Sequence, residues 1–202
     1  KYDYIIIDTS PSLGALNKII ISTVDGFFVP AAPDMFSLYG IRNIGNSLRK
    51  WHEEFEIIYK LISSDKRKLF PQKFVRFLGY TIYNARKYTK AGSKWNLAQA
   101  HLKYALEIPA VIHRHIGEDI RQDISDALLA EPIGGESIMH GHNTFATLAQ
   151  HYRVPMWKIP LVKELDKDHQ NTINGQKPDI IATESKYHSF SESLIERIKL
   201  IG

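Results

Sequence analysis

An unbroken apolar run that ends in a carboxylate is the feature that most constrains this chain. Tyr4 to Ile7 are all apolar, and Asp8 follows them directly. Continuous apolar runs, in contrast to alternating ones, are typical of strands that are buried on both faces in parallel α/β sheets. In open sheets of this kind, ligands bind beyond the carboxyl ends of the strands. The run therefore predicts a buried strand with Asp8 at the ligand-binding edge.

The residues after Asp8 predict a βαβ unit. Pro11 restricts the residue before it to extended conformations, and Gly14 allows the chain to turn. Residues 15–24 favour a helix, and a second apolar strand is predicted over residues 27–32. A strand, a helix and a strand within about thirty residues form the unit from which parallel sheets are built.

Most of the remaining chain is predicted to be helical. Apolar residues recur at spacings of three and four from Leu38 to Leu61, which indicates a long amphipathic helix with Asp34 as its N-cap. Pro109 suits the first position of a later helix whose apolar face extends to Leu128. The other predicted elements are a third strand over residues 74–84, a helix over 95–106, a short helix and an extended piece over 142–159, a polar loop over 161–179 and a closing amphipathic helix over 185–201.

Composition narrows the class of protein. With 44% hydrophobic and 24% charged residues, the 202-residue chain is predicted to form a single α/β domain over residues 1–202, with a parallel sheet flanked by helices. The chain has no cysteine, which excludes disulfides and thiolate metal sites and favours a cytoplasmic location. The net charge of +4 permits contact with polyanions without requiring it. Because the chain starts with Lys1 and enters a predicted strand almost at once, we expect it to be a piece of a longer protein.

The order of motifs in residues 2–48 matches a known family. An apolar strand ends in Asp8, Ser-Pro-Ser-Leu-Gly and a helix follow, a second strand ends in Pro30, and Phe-Ser-Leu-x-Gly opens a long helix. In this order the segment resembles the central part of the ParA/MinD-type partition ATPases, also called deviant Walker ATPases. Residues 79–88 and 142–156 are similar to later segments of that family, with less specific motifs. The resemblance implies a P-loop NTPase fold of the SIMIBI type, truncated at the N-terminus.

The resemblance also implies a nucleotide site for ATP and Mg²⁺. In P-loop enzymes, a carboxylate at a strand end holds the Mg²⁺ that bridges the β- and γ-phosphates. A short proline-containing loop after that strand senses whether the γ-phosphate is present. By this resemblance, Asp8 is the metal carboxylate and acts through a bound water. Thr9, Ser10 and Pro11 form the catalytic switch. Asn84 and Asn143 lie near the adenine.

Two departures from the family pattern bear on activity. Ser10 stands where the family usually has the first of two prolines, so the switch is expected to be looser. The chain contains no Gly-x₄-Gly-Lys-Ser/Thr loop, whose glycines and lysine cradle the phosphates. In the family, this loop and a signature lysine that reaches across a dimer precede the aspartate strand, and would therefore precede Lys1. We predict that these 202 residues alone neither bind ATP tightly nor hydrolyse it.

Three functions are compatible with the motifs. The first is the C-terminal part of a ParA-like ATPase, which would form an ATP-dependent homodimer and hydrolyse ATP slowly while it partitions plasmids or chromosomes or positions another cargo. A ParB-like partner would stimulate its turnover. The second is a non-catalytic regulator that retains the fold as a binding surface, and the third is a related nucleotide switch with a metabolic or transferase role. Intact phosphate-binding residues upstream would favour an enzyme, and eroded glycines would favour a regulator.

Two basic segments flank the predicted third strand. They are interpreted either as one patch for non-specific DNA binding through phosphate contacts or as two solvated loops. The first contains Lys66, Arg67, Lys68, Lys73 and Arg76, and the second contains Arg86, Lys87, Lys90 and Lys94.

Several polar residues also have simpler interpretations. Asp8 at a strand end is also compatible with a helix or turn cap, and Asn84 with an ordinary loop residue. The histidines at 113 and 115 stand two apart on a predicted helix and point to different faces, so they are not expected to share a metal ion. Those at 140 and 142 lack a carboxylate or cysteine at zinc-like spacing, so they are predicted to be surface residues.

Overall fold

Strands β1 (Gly26–Ala31) and β2 (Arg76–Ile82) pair in parallel at the centre of the computed structural model, which describes residues 2–9, 14–88, 94–142 and 144–202. The α-helices in these residues are α1 (Ala15–Thr23), α2 (Met35–Leu61), α3 (Ser64–Arg67), α4 (Gln99–His115), α5 (Glu118–Arg121), α6 (Asp126–Leu129), α7 (Phe145–Tyr152), α8 (Lys167–Gly175) and α9 (Lys177–Ile201). Lys94–Asn96 and Met156–Leu161 form 3₁₀ helices. The structure is therefore a helix-rich α/β arrangement with a small parallel sheet, which confirms the predicted class at this coarse level.

The two strands are out of step by one residue in the middle of their pairing. Phe27 lies opposite Phe77, but Phe28 lies opposite Gly79, so Leu78 is the extra residue of a β-bulge. Gly79 has a φ of +122°, a conformation that residues with a Cβ rarely adopt. The strand remains almost fully buried along its length, as its apolar sequence predicts.

Helix α2 begins and ends where its pattern predicts. The side chain of Asp34 accepts a hydrogen bond from the backbone N–H of Ser37 at 2.8 Å, which confirms it as the N-cap. The apolar stripe of α2 is buried against the sheet and α4, and its members are Ile41, Leu48, Trp51 and Phe55. A side chain at Gly45 would collide with the carbonyl of His115 in α4, so the two helices approach closely at this point.

The prediction of a buried strand over Tyr4 to Ile7 is wrong. Among the described residues this segment joins neither β1 nor β2, and Ile5, Ile6 and Ile7 are 79%, 75% and 50% exposed. An apolar run indicates that side chains favour burial, but a strand also needs a neighbouring backbone to complete its ladder. The βαβ unit of the structure is consequently formed one element later, by β1, α2 and β2.

The predictions for residues 95–129 are wrong in where the helices begin and end. Pro109 lies inside α4 and does not start a helix. A proline in a helix interior costs about 3 kcal/mol, and the buried face of α4, which includes Ile108 and Ile112, offsets this cost. The continuous helix predicted up to Leu128 is interrupted after Ile116, and two single-turn helices, α5 and α6, follow.

The polar region predicted to be a loop contains a helix. Residues 167–175 form α8, which buries a single apolar side chain, Ile173. One buried residue per two turns is too weak a periodic signal to predict a helix. The piece predicted to be extended after α7 forms the 3₁₀ helix Met156–Leu161. The predictions of α1, α7 and the closing helix are confirmed, and α9 begins eight residues earlier than predicted.

The buried apolar side chains of the described residues form three clusters. The largest surrounds the sheet and the facing sides of α2 and α4. A second, which we call the C-terminal core, consists of Phe145, Leu148, Ile159, Ile173 and Ile180. A third consists of Leu78, Ile133 and Leu194 and joins α9 to the sheet.

Arg197 of α9 is buried beside the third cluster and is 3% exposed. Its guanidinium donates hydrogen bonds to the carbonyl oxygens of Leu78 at 2.9 Å, Leu128 at 2.8 Å and Glu131 at 2.9 Å. Leu78 is the bulged residue of β2, and the carbonyl of Leu128, in the last turn of α6, also accepts a hydrogen bond from the backbone N–H of Glu131 at 3.3 Å. Desolvation by burial lowers the pKa of Arg197. The guanidinium therefore joins the bulge of β2 to the carbonyls at and after the end of α6.

Replacing Arg197 is expected to destabilise the fold. Arg197→Met removes the donor of three hydrogen bonds to carbonyl oxygens, and we expect the free energy of unfolding to fall by about 2–4 kcal/mol. Urea denaturation followed by circular dichroism measures this loss. Lys199→Met, which removes a positive charge from the exposed side of the same helix, is the control. Equal stabilities of the two variants would contradict the role assigned to Arg197.

Candidate nucleotide-binding site

Asp8 lies on the surface at the end of the N-terminal apolar segment. Its side chain is exposed and makes no hydrogen bond or ion pair with another described residue. Thr9 is exposed as well. Ser10 and Pro11 of the predicted switch lie outside the described residues. The carboxylate of Asp8 is thus accessible to a hydrated ion from solvent.

Asn84 directly follows the carboxyl end of β2. Its φ of +55° places it in the left-handed region, which asparagine tolerates better than most residues, and its side chain is exposed. Next to it, Ala85 forms a parallel bridge with His140. The N–H of Ala85 donates to the carbonyl of Met139 at 2.9 Å, and the N–H of Gly141 donates to the carbonyl of Ala85 at 3.4 Å. This short ladder holds Asn84 beside residues 139–141.

Gly141 leaves room for the amide of Asn84. A Cβ at position 141 would lie 2.9 Å from Oδ1 of Asn84, closer than real Cβ contacts allow. Asn143, the second residue predicted near an adenine, follows Gly141 by two positions and lies outside the described residues. The structure therefore brings Asn84 to the segment that leads into Asn143, at a strand end where ligands of α/β sheets bind.

A carboxylate lies on the other side of the same ladder. Oε1 of Glu136 accepts a hydrogen bond from Nδ2 of Asn96 at 2.9 Å and lies 3.2 Å from Nε2 of His140. The hydrogen bond from Asn96 lowers the pKa of Glu136, and His140 and the positive charge of Lys87 lower it further. Glu136 is therefore ionised at neutral pH and anchors the ladder from its solvent side.

His142 is half-buried within a group of aromatic rings. Its ring centroid is 6.5 Å from that of Phe145 and 5.9 Å from that of Tyr187, which in turn is 6.1 Å from Trp157. Burial lowers the pKa of His142, and the nearby positive charge of Lys186 lowers it further. The imidazole is therefore neutral at pH 7. It adds a flat, uncharged surface next to position 143.

The basic residues of the described ranges lie towards opposite ends of β2. Arg76 begins the strand and the rest of the first segment precedes it, the second segment follows it, and a strand of seven residues separates its ends by about 20 Å. Several of the cations already have partners. Arg67 donates to the carbonyl of Lys60 at 2.9 Å, Lys68 pairs with Asp65 at 3.2 Å, Arg76 with Asp123 at 3.0 Å and Lys94 with Glu131 at 2.7 Å. The separation favours two solvated loops over one DNA-binding surface.

The exposed cations that remain lie in both segments. Lys66 and Lys73 of the first, and Arg86 and Lys87 of the second, have exposed side chains. Lys90 lies outside the described residues. With one small group at each end of β2, these residues add no support for a DNA partner.

A polar cluster that the sequence did not reveal lies in the C-terminal part. His151, Asp166 and His169 place their side-chain ligand atoms within 4.8 Å of one another. The only local signal is the spacing of three between Asp166 and His169, which brings both to one face at the start of a helix. This signal was missed because residues 161–179 are predicted to be a loop, and His151 belongs to a different helix.

One family model matches the N-terminal part of the chain. Residues 1–61 match the family model described as "AAA domain". The matched residues include Asp8, α1, β1 and α2 and end with the last residue of α2. The match indicates a P-loop ATPase-like, nucleotide-binding domain in this part of the chain. No curated protein and no solved structure matches the chain.

Among the helices in the described ranges, none combines the length and apolar character that crossing a bilayer requires.

Because His142 is neutral in the folded protein, we predict that the protein becomes less stable as the pH falls. Because burial lowers the pKa of His142 below its ordinary value of 6.5, the unfolded chain takes up a proton more readily than the folded chain as the pH falls through 6.5. The free energy of unfolding should therefore decrease below that pH. We expect His142→Gln to lose less stability than the unmodified protein between about pH 7.5 and pH 5.5, above the titration range of carboxylates.

Urea denaturation at the two pH values measures this difference. His188→Gln, which changes an exposed histidine of α9, is the matched control. If His142→Gln and the unmodified protein lose the same free energy, the assignment to His142 is wrong.

Proposed function

We propose that this chain is the C-terminal part of a ParA-like ATPase, which binds and slowly hydrolyses ATP to partition DNA or to position another cargo. The observation that carries the proposal is the AAA-domain match over residues 1–61, which includes Asp8 and the Ser-Pro-Ser-Leu-Gly motif that resembles the ParA/MinD-type family. The match supports a nucleotide-binding ATPase-like domain. The assignment to partition ATPases rests on the resemblance of the motifs.

Asp8 is proposed to hold Mg²⁺ through a bound water, and the exposure of its carboxylate supports this role. The ion, when bound, supplies positive charge that stabilises the transferring phosphoryl group. Thr9, Ser10 and Pro11 are proposed to respond to the γ-phosphate. Asp8 therefore orients the ion, and the loop after it reports the state of the nucleotide.

Asn84 and Asn143 are proposed to lie at the adenine. An asparagine amide can both donate to and accept from the edge of an adenine. The position of Asn84 beside residues 139–141, directly before the half-buried His142 in the chain, supports this proposal. A flat apolar surface beside a hydrogen-bonding amide is the combination that small-molecule sites use to orient a ring.

The phosphate-binding loop is proposed to come from residues upstream of Lys1, since the sequence has no Gly-x₄-Gly-Lys-Ser/Thr. The ATP-dependent homodimer and the ParB-like stimulating partner that the resemblance implies belong to the same proposal. Binding of non-specific DNA is the part of the proposal with the weakest support, because the basic segments lie at opposite ends of β2.

A non-catalytic regulator with a ParA-like fold is the second candidate. The observation that favours it is the exposed run Ile5 to Ile7, which offers an apolar surface next to Asp8. The first candidate hydrolyses ATP and the second does not, so measurements of ATP binding and hydrolysis distinguish them.

The first test concerns Mg²⁺–ATP. For the 202-residue chain alone we expect no micromolar binding in isothermal titration calorimetry, because the phosphate cradle is absent; micromolar binding would refute this. For a longer natural form that carries the loop, we expect Asp8→Asn to lower the rate of ATP hydrolysis by about 100-fold, since metal positioning supplies several kcal/mol of transition-state stabilisation.

Asp3→Asn is the matched control for this test, because Asp3 is exposed in the same segment. We expect it to hydrolyse ATP at the unmodified rate. An intact phosphate loop without any ATP hydrolysis would favour the regulator. Equal rates for Asp8→Asn and Asp3→Asn would overturn the role of Asp8.

The second test concerns the base. In the nucleotide-binding form, we expect Asn84→Gly to reduce the preference for ATP over GTP by about tenfold, since an amide contact to adenine contributes about 1–3 kcal/mol of discrimination. Glycine keeps the left-handed backbone at this position, so the change removes only the side chain. Competition binding with both nucleotides measures the preference. If Asn84→Gly leaves the ratio of the ATP and GTP affinities unchanged, Asn84 does not contact the adenine.

A further inference from the structure

Three potential metal ligands converge where α7 and α8 meet. His151 lies in the last turn of α7, Asp166 is the residue that precedes α8, and His169 lies in the first turn of α8. Nε2 of His151 is 2.9 Å from Oδ2 of Asp166, and Nδ1 of His169 is 3.6 Å from the same oxygen. The two imidazole rings are 5.1 Å apart and nearly perpendicular.

These separations are close to those of a tetrahedral zinc site. Zinc binds imidazole nitrogen and carboxylate oxygen at about 2.0–2.2 Å, so two ligand atoms of a tetrahedron lie about 3.3–3.5 Å apart. The two measured separations bracket this value, and the ligand atoms of all three residues lie within 4.8 Å. The three ligand atoms are therefore spaced closely enough to share one ion.

Tyr152 contacts all three residues. The hydroxyl of Tyr152 accepts a hydrogen bond from the backbone N–H of Asp166 at 3.1 Å and lies 2.8 Å from Nδ1 of His169. Its ring packs edge-on against both imidazoles, at centroid distances of 4.7 Å from His151 and 5.7 Å from His169. Because a metal-bound ring nitrogen has neither a proton nor a lone pair left for a hydroxyl, an ion at Nδ1 of His169 replaces the contact with Tyr152, while the packing of its ring still restricts both imidazoles.

The donor set selects the class of metal. Two imidazoles and one carboxylate suit zinc and its neighbours among the divalent transition metals, whereas Mg²⁺ and Ca²⁺ prefer oxygen ligands alone. The side chains of His151, Asp166 and His169 are 50%, 57% and 33% exposed, so an ion can reach them from solvent. Three protein ligands leave a fourth position for a water molecule.

From this geometry we propose that His151, Asp166 and His169 form a zinc-binding site that fastens α7 to α8. Both helices contribute to the C-terminal core, Phe145 and Leu148 from α7 and Ile173 from α8. The C-terminal core is small. Because the free energy of zinc binding adds to the free energy of folding, the ion contributes a comparatively large share of its stability.

The test uses the 202-residue chain, purified without a histidine tag and stripped with EDTA. Isothermal titration with ZnCl₂ should show one saturable site per chain, and zinc should raise the thermal unfolding midpoint while EDTA reverses the rise. His151→Ala and Asp166→Asn should each weaken zinc binding by at least about tenfold. Co²⁺, used as a visible probe, should give an absorption band that both variants lose.

Three controls separate a metal site from a purely structural network. His188→Ala removes an exposed histidine outside the cluster and should bind zinc like the unmodified chain. Tyr152→Phe removes a hydroxyl of the network but no proposed ligand, and should keep the site. Asp8→Asn should also keep it, which distinguishes the site from the proposed Mg²⁺–ATP site.

Circular dichroism of each variant verifies that it is folded before the titrations are compared. The absence of a saturable zinc site in the unmodified chain would overturn the proposal. So would zinc affinities that remain equal in His151→Ala, Asp166→Asn and His188→Ala.

Discussion

The guanidinium of Arg197 holds together parts of the chain that are distant in sequence. It reaches from the last helix to the bulge of β2 and to the carbonyls around the end of α6. Gly79 is required beside it, since a side chain at this position would collide with the guanidinium. Because a buried carbonyl without a donor is costly, the bulge and the docking of α9 depend on each other. The position of β2 depends on both.

The position of β2 in turn determines where the candidate adenine site lies. Its carboxyl end leads directly to Asn84, and the bridge between Ala85 and His140 attaches the segment before Asn143 to the same place. Residues from the middle of the chain and from the start of the C-terminal part therefore meet at one strand end. The N-terminal segment with Asp8 contributes a carboxylate whose surroundings are solvent. A nucleotide site built from both would need further chain to carry the phosphates.

The chain carries two polar centres of different chemistry. The first, at Asp8, offers an exposed carboxylate, which is proposed to hold Mg²⁺. The second, at His151, Asp166 and His169, offers two nitrogens and one oxygen in a region stabilised by its own small core. Nitrogen donors favour zinc over Mg²⁺. The two proposals are therefore independent, and either can hold without the other.

The sequence by itself determined the elements whose signals are local. The helical spacing of α2, its cap at Asp34, the apolar runs of β1 and β2 and the family motif around Asp8 are all readable within short windows, because periodicity and capping act between near neighbours. Only the tertiary structure decided that Tyr4 to Ile7 lacks a ladder partner, that Pro109 lies within a helix, and that Asp166 and His169 meet His151. Each of these outcomes depends on a distant part of the chain: a neighbouring strand for Tyr4 to Ile7, the packing around α4 for Pro109, and a second helix for the three ligands. No local pattern contains that information.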